Sequence, residues 1–126
     1  MKGNKKNIVV YDTTLRDGMQ GIQINYSLPD KVQIAHKLDE MRIDYIEGGF
    51  PFSNEKESAF FKTMKNENLQ HSKIVAFGST RKPGGKAKTD PHIEALMQSE
   101  VPVVMIVGKT WKEHVEKVLH TDSQEN

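Results

Sequence analysis

An arginine and an aspartate stand side by side at Arg16 and Asp17, in the segment from Tyr11 to Gln20 that continues an apolar run. A second carboxylate, Glu47, precedes two glycines near the end of another apolar run, Tyr45 to Phe50. A carboxylate offers oxygen to a hard divalent cation, and an arginine grips a carboxylate or an enolate with a planar fork of donors. As residue types, these make a hard-oxygen site beside a fixed cation. Asp17 is a candidate metal ligand, and Arg16 a candidate group to neutralise charge on an oxygen under attack. The plainer alternative is that an Arg–Asp pair in a loop is a surface ion pair or part of a turn. Glu47 weighs more toward a site, because a carboxylate near a buried strand end costs free energy unless it is partnered. The neighbouring glycines would let a ligand approach the backbone closely.

The elements that must position these residues are legible from periodicity. Four short runs rich in β-branched residues read as strands: Ile8 to Tyr11, Tyr45 to Phe50, Lys73 to Phe77 and Val101 to Val107. Three of them are near-continuously apolar, which suits strands buried on both faces of a parallel sheet. Helical patterns lie between. Ser27-Leu-Pro-Asp30 reads as a capping box with Pro29 in the first turn, followed by an apolar stripe of Val32, Ala35, Leu38 and Met41. Ser53 is the expected cap of a second helix burying Phe60, Phe61 and Met64. Thr89-Asp90-Pro91 opens a third, with Ile93, Leu96 and Met97 inward. Thr110-x-x-Glu113 reads as a further capping box ahead of Trp111, Val115, Val118 and Leu119, with Trp111 as a packing anchor.

The order is therefore βα four times over, with strands starting roughly 28 to 37 residues apart, against about 31 per unit in an eight-fold βα barrel. Such alternation demands a parallel sheet with right-handed crossovers. Half of an eight-fold barrel and a small open doubly wound sheet both satisfy it. In either, function sits at the carboxyl ends of the strands. Arg16, Asp17 and Glu47 fall there, and so do Ser79, Met105 and Val107, which could line a small pocket.

Composition narrows the classes. Charged residues are 28% of the 126, split to a net charge of +1, which gives no electrostatic reason to expect nucleic acid or an anionic membrane as partner. With no cysteine there are no disulfides and no thiol chemistry. The stretch Met1 to Lys6 is polar and basic, with no apolar signal segment after it and no run long enough to span a bilayer. A cytoplasmic location is the expectation.

Asp12-Thr-Thr-Leu-Arg-Asp-Gly-Met-Gln20 resembles the N-terminal signature of the isopropylmalate, homocitrate and citramalate synthases, which the related hydroxymethylglutaryl-CoA lyases share. The likeness continues through Asp44 to Pro51, Val75 to Arg81 and Pro102 to Lys109, the last two looking most like the citramalate branch. The resemblance implies a TIM barrel, of which residues 1–126 would be the N-terminal half and an incomplete catalytic domain. It implies a divalent metal (Mg, Mn or Zn), with acetyl-CoA and a 2-oxo acid, foremost pyruvate, as small-molecule partners. It assigns Asp17 to the metal and Arg16 to the oxo-acid carbonyl. It gives Glu47 a part in supporting the arginine or handling protons, and places Gln20 near the substrate. The expected assembly is a homodimer.

The sequence departs from that family in one respect. The family completes its metal site with a His-x-His pair from a later strand, and this sequence has none. His36, His71, His92, His114 and His120 fall on predicted helices or their flanks and read as surface or helix-face residues. One carboxylate plus waters is a poor metal site, so the 126-residue chain alone is expected to be inactive. Arg81-Lys-Pro-Gly-Gly-Lys-Ala-Lys88 lacks the spacing of a phosphate-binding P-loop and reads as a rim loop. Rival readings are a different 2-oxo acid, a lyase of the same superfamily, or a non-catalytic half-barrel that serves as an interaction module.

Overall fold

A computed structural model describes residues 8–126, and the basic run of residues 1–6 lies outside them. The chain forms four βα units: β1 (Tyr11–Asp12), α1 (Leu28–Glu40), β2 (Tyr45–Gly49), α2 (Glu55–Met64), β3 (Lys73–Ser79), α3 (Pro91–Gln98), β4 (Val103–Val107) and α4 (Lys112–Lys117). The strands make one parallel sheet in the order β1-β2-β3-β4. Sequential order with every crossover in the same sense is the half-barrel arrangement, since a doubly wound sheet reverses its strand order part-way.

Capping chemistry sets the helix starts. Ser27 accepts from the Asp30 amide, and the Asp30 side chain accepts in return from the Ser27 amide, so the predicted capping box closes with Pro29 in the first turn. Asp90 accepts from the His92 and Ile93 amides ahead of Pro91. Two predicted caps are displaced. Asn54, not Ser53, caps α2 by accepting from the Glu57 amide at 3.0 Å, while the Ser53 hydroxyl donates to the Phe50 carbonyl. Thr110 caps nothing: the capping position of α4 is Trp111, whose side chain has no acceptor to offer.

The helices pack on one face of the sheet. Residues two apart on a strand share a face, and Ile46, Ile74 and Ala76 meet Leu15, Ala35, Phe60, Phe61, Met64 and Leu96 in a single apolar cluster. Each large side chain so buried contributes about 1.5–3 kcal/mol. Strand glycines make room for this layer. A Cβ at Gly48 would lie 2.3 Å from Phe60, and one at Gly78 would lie 2.5 Å from Leu96. Register slips at this point, Glu47 pairing with Val75 and Gly49 with Ala76, so a bulge ends β2.

Several expectations fail at the margins. Strand β1 is two residues long, and Ile8, Val9 and Val10 are exposed, although the Val10 carbonyl still accepts from Tyr45. Met41 falls at the end of α1 and Met97 on the outer side of α3, both in solvent. Trp111 is also exposed, with its ring against His114, and stands outside the core cluster rather than anchoring it. The largest departure is β4: Val104, Met105, Ile106 and Val107 are 40–50% exposed rather than buried on both faces. Strand β3 pairs with one edge of β4, and no strand among the described residues pairs with the other.

Candidate active site

The segment after β1 is wound on itself by its own polar atoms. The Asp12 carboxylate accepts from the amide and hydroxyl of Thr14, and the Thr13 carbonyl accepts from the amides of Arg16, Asp17 and Gly18. Leu15 is fully buried and pins this turn to the core. With Leu15 drawn inward, Arg16 and Asp17 are left at the carboxyl ends of β1 and β2, where a parallel sheet presents its functional groups.

Glu47 is the centre of the arrangement. It sits on β2, on the sheet face opposite the helices, and is only 2% exposed. Arg16 Nε donates to Glu47 Oε1 at 2.5 Å, and the Tyr11 hydroxyl donates to Oε2 at 2.5 Å. Two short bonds to a buried carboxylate offset its desolvation. The Arg16 guanidinium also lies 4.2 Å from the centroid of the Phe77 ring, and its Nη1 donates to Asp17 Oδ1 at 3.1 Å. Three contacts, with Glu47 on β2, Phe77 on β3 and the adjacent Asp17, thus fix one guanidinium. Burial first, then the bond to Glu47, hold the Tyr11 phenol well above its ordinary pKa, so it stays protonated as a donor.

Arg16 and Gln20 line one cleft of about 210 Å³, together with Leu15, Met19, Phe50 and Phe77. Ser79 and Val107 are paired across β3 and β4 and line a second cleft of about 280 Å³, beside Arg81 and Lys109. Met105 pairs with Phe77 in the same register. Counting in twos along paired strands places Glu47, Phe77, Ser79, Met105 and Val107 on one face of the sheet. The structure therefore brings Arg16 into contact with Glu47 and Asp17, puts Gln20 beside Arg16 in the lining of one cleft, and sets Ser79, Met105 and Val107 further along the same sheet face as Glu47.

Sequence reasoning missed three participants. Tyr11 reads as the last residue of a strand, and Phe77 as core. The third is a buried pair below the cleft, where Lys31 Nζ donates to Glu57 Oε1 at 2.7 Å. Lys31 lies in the first turn of α1, where lysine normally faces solvent, and no signal in the sequence marks it.

The residues present do not make a metal site by themselves. Asp17 is largely exposed, and one of its oxygens faces Arg16. Asp12 and Glu47 are committed to neighbouring donors. Among the described residues no three His, Cys, Asp or Glu side chains converge, whereas a protein-held divalent ion needs several ligands in fixed geometry.

Comparison with known proteins gives this geometry its family. The HMGL-like family pattern matches residues 7–126. The chain belongs to the HMGL-like family. Among its relatives, the (R)-citramalate synthase of Aquifex aeolicus is 48% identical over 121 residues, covering 96% of this chain and 23% of that protein. The (R)-citramalate synthase of Geobacter sulfurreducens is 50% identical over 119 residues, 94% of this chain and 22% of the relative. Homocitrate synthase AksA of Methanocaldococcus jannaschii is 40% identical over 82 residues, 65% of this chain and 20% of that protein. The chain thus spans less than a quarter of the length of these relatives. This HMGL-like chain is an α/β fragment with the four βα units of the N-terminal half of the family's TIM barrel.

Proposed function

We propose that this chain supplies the oxo-acid-binding half of an active site that condenses acetyl-CoA with a 2-oxo acid, foremost pyruvate, to give citramalate. The observation that carries the reading is the clamped Arg16, held by Glu47 and Phe77 and lining a cleft together with Gln20. In a Claisen-type condensation the methyl carbon of acetyl-CoA loses a proton and attacks the ketone carbon of the oxo acid. Negative charge then grows on the former carbonyl oxygen, which takes up a proton, and water cleaves the thioester of the product to give the free acid and CoA. A guanidinium fixed beforehand stabilises that oxygen without reorganising during the reaction. Arg16 is the group in this role, and Glu47 positions it. Gln20 orients the oxo acid, while Ser79, Met105 and Val107 form the wall that limits its side chain. Asp17 would contribute one carboxylate to a divalent metal whose other ligands lie outside the described residues. The names of the relatives at 48% and 50% identity support pyruvate over larger oxo acids. The expected setting is cytoplasmic and homodimeric. Among the described residues no helix is long and apolar enough to cross a membrane.

The test is a chimera. Residues 1–126 of this chain replace the matching segment of the Geobacter sulfurreducens relative, and release of free thiol is followed with acetyl-CoA and a panel of 2-oxo acids. The chimera is expected to release CoA with pyruvate in preference to bulkier acids. Arg16→Ala in the chimera should lower turnover by about 10²–10³-fold, as loss of a charge-stabilising donor does. The 126-residue chain alone should release none. A folded chimera that is silent with every oxo acid, or an Arg16→Ala chimera at full rate, would overturn the assignment.

A further inference from the structure

Both oxygens of Glu47 are occupied, and what occupies the second is Tyr11. The Glu47 carboxylate is 2% exposed, with Oε1 taken by Arg16 Nε and Oε2 by the Tyr11 hydroxyl. A carboxylate that is to collect or deliver a proton needs one oxygen facing the reacting atom. Each Glu47 oxygen already has a donor and the group has almost no open surface while Tyr11 keeps its proton, which burial beside a carboxylate holds in place. The neighbouring phenol makes a useful contrast. Tyr45 is the register partner of Tyr11, with ring centroids 6.2 Å apart. Only Tyr11 reaches Glu47.

We infer that Tyr11 is a positioning residue, which locks the Glu47 carboxylate in one rotamer so that Glu47 serves only to aim the Arg16 guanidinium and takes no part in proton transfer. Arg16 donates through Nε on its inner edge, which leaves its outer Nη groups toward Asp17 and the cleft. If Glu47 rotated, Arg16 would keep its stacking on Phe77 and lose its direction. The hydroxyl of Tyr11 thus acts on the ligand through two other side chains, without touching it. This rests on the proposed role of Arg16 for its functional meaning, but the positioning itself can be measured without any substrate.

The experiment uses the 126-residue chain labelled with ¹⁵N. The Arg16 Nε–H resonance is assigned by its disappearance in Arg16→Lys, and its exchange with solvent is measured in the parent, Tyr11→Phe and Tyr45→Phe. Loss of the Tyr11 hydroxyl is expected to speed that exchange by about tenfold, the value of one hydrogen bond, and to move the resonance toward that of a free guanidinium. Tyr45→Phe removes a hydroxyl from the adjacent strand without touching Glu47 and should leave the resonance where it is. Backbone resonances of Ile46 and Val75 report whether the sheet itself is intact. An unchanged Arg16 signal in Tyr11→Phe overturns the inference, as does equal loss of the signal in both variants. Pyruvate is then added to the parent. If it shifts no resonance around the cleft, the functional reading is weakened while the exchange measurements still decide the role of Tyr11.

Discussion

Lys31 shows at the scale of one residue how much this small fold commits below its site. Its side chain is fully buried, bonded to Glu57 at 2.7 Å and 4.8 Å from the centroid of the Phe60 ring. Burial pulls its pKa down, and Glu57 pushes it back up. A buried pair of this kind contributes little net stability, yet breaking it strands a charge. Lys31→Met alone should therefore cost about 3–5 kcal/mol, and adding Glu57→Leu should restore most of that loss. Urea unfolding of the three proteins checks it, and equal midpoints for the single and double variants would remove the argument. Glu57 also borders the cleft of Arg16 and lies 1.6 Å from where a Gly49 Cβ would be. The glycine after the bulge, at φ +141°, is thus needed on two counts, left-handed backbone and space.

Among the elements, the firmest points of the sequence reading are those written in local chemistry. The Ser27 capping box and the Asp90-Pro91 helix start rest on residues three or fewer apart. The site was legible as residue types, strand-end positions and the Asp12 to Gln20 motif, but not as contacts. Arg16, Asp17 and Glu47 stand out because charges beside apolar runs are conspicuous, but the bond from Tyr11 spans 36 residues and leaves no local mark. A second long-range clasp was equally hidden. Asp39, near the end of α1, accepts from the amides of Gln70, His71 and Ser72 and so fixes the entry to β3. Burial alone would raise its pKa, but the three amide donors outweigh this and hold it at about 2. The sign follows from the unfolded value of about 3.9. A carboxylate with a depressed folded pKa adds stability above that value and loses it as pH falls from about 4 to 2. Asp39→Asn should lower stability by about 1–3 kcal/mol at pH 7, with the gap to the parent closing as pH approaches 2. Unfolding midpoints measured from pH 7 down to pH 2.5 read this directly, and a gap that stays constant across the range would show that Asp39 contributes through shape rather than charge.

For the whole molecule, the sheet's two edges and inner face set the behaviour. Helices cover only one face. The other carries Tyr11, Tyr45, Glu47, Val75, Phe77, Met105 and Val107, and β4 offers an unpaired edge among the described residues. Ile8, Val9 and Val10 are exposed at the opposite edge. An unpaired apolar strand is a template for another chain, and Val104, Met105, Ile106 and Val107 are all 40–50% exposed along it. In relatives more than four times as long, further chain is available to cover such surface. The 126-residue chain on its own has only itself. It is expected to self-associate, since the β4 of one copy can pair in parallel with the β1 edge of another and bury both apolar runs. Sedimentation velocity across a hundredfold range of concentration should show a weight-average mass that rises from one chain toward two or more, and Val104→Lys with Ile106→Lys on β4 should shift the rise to higher concentration. A monomer at every concentration would mean that the inner face is closed by this chain's own residues, which is incompatible with four strands standing as half of an eight-strand barrel.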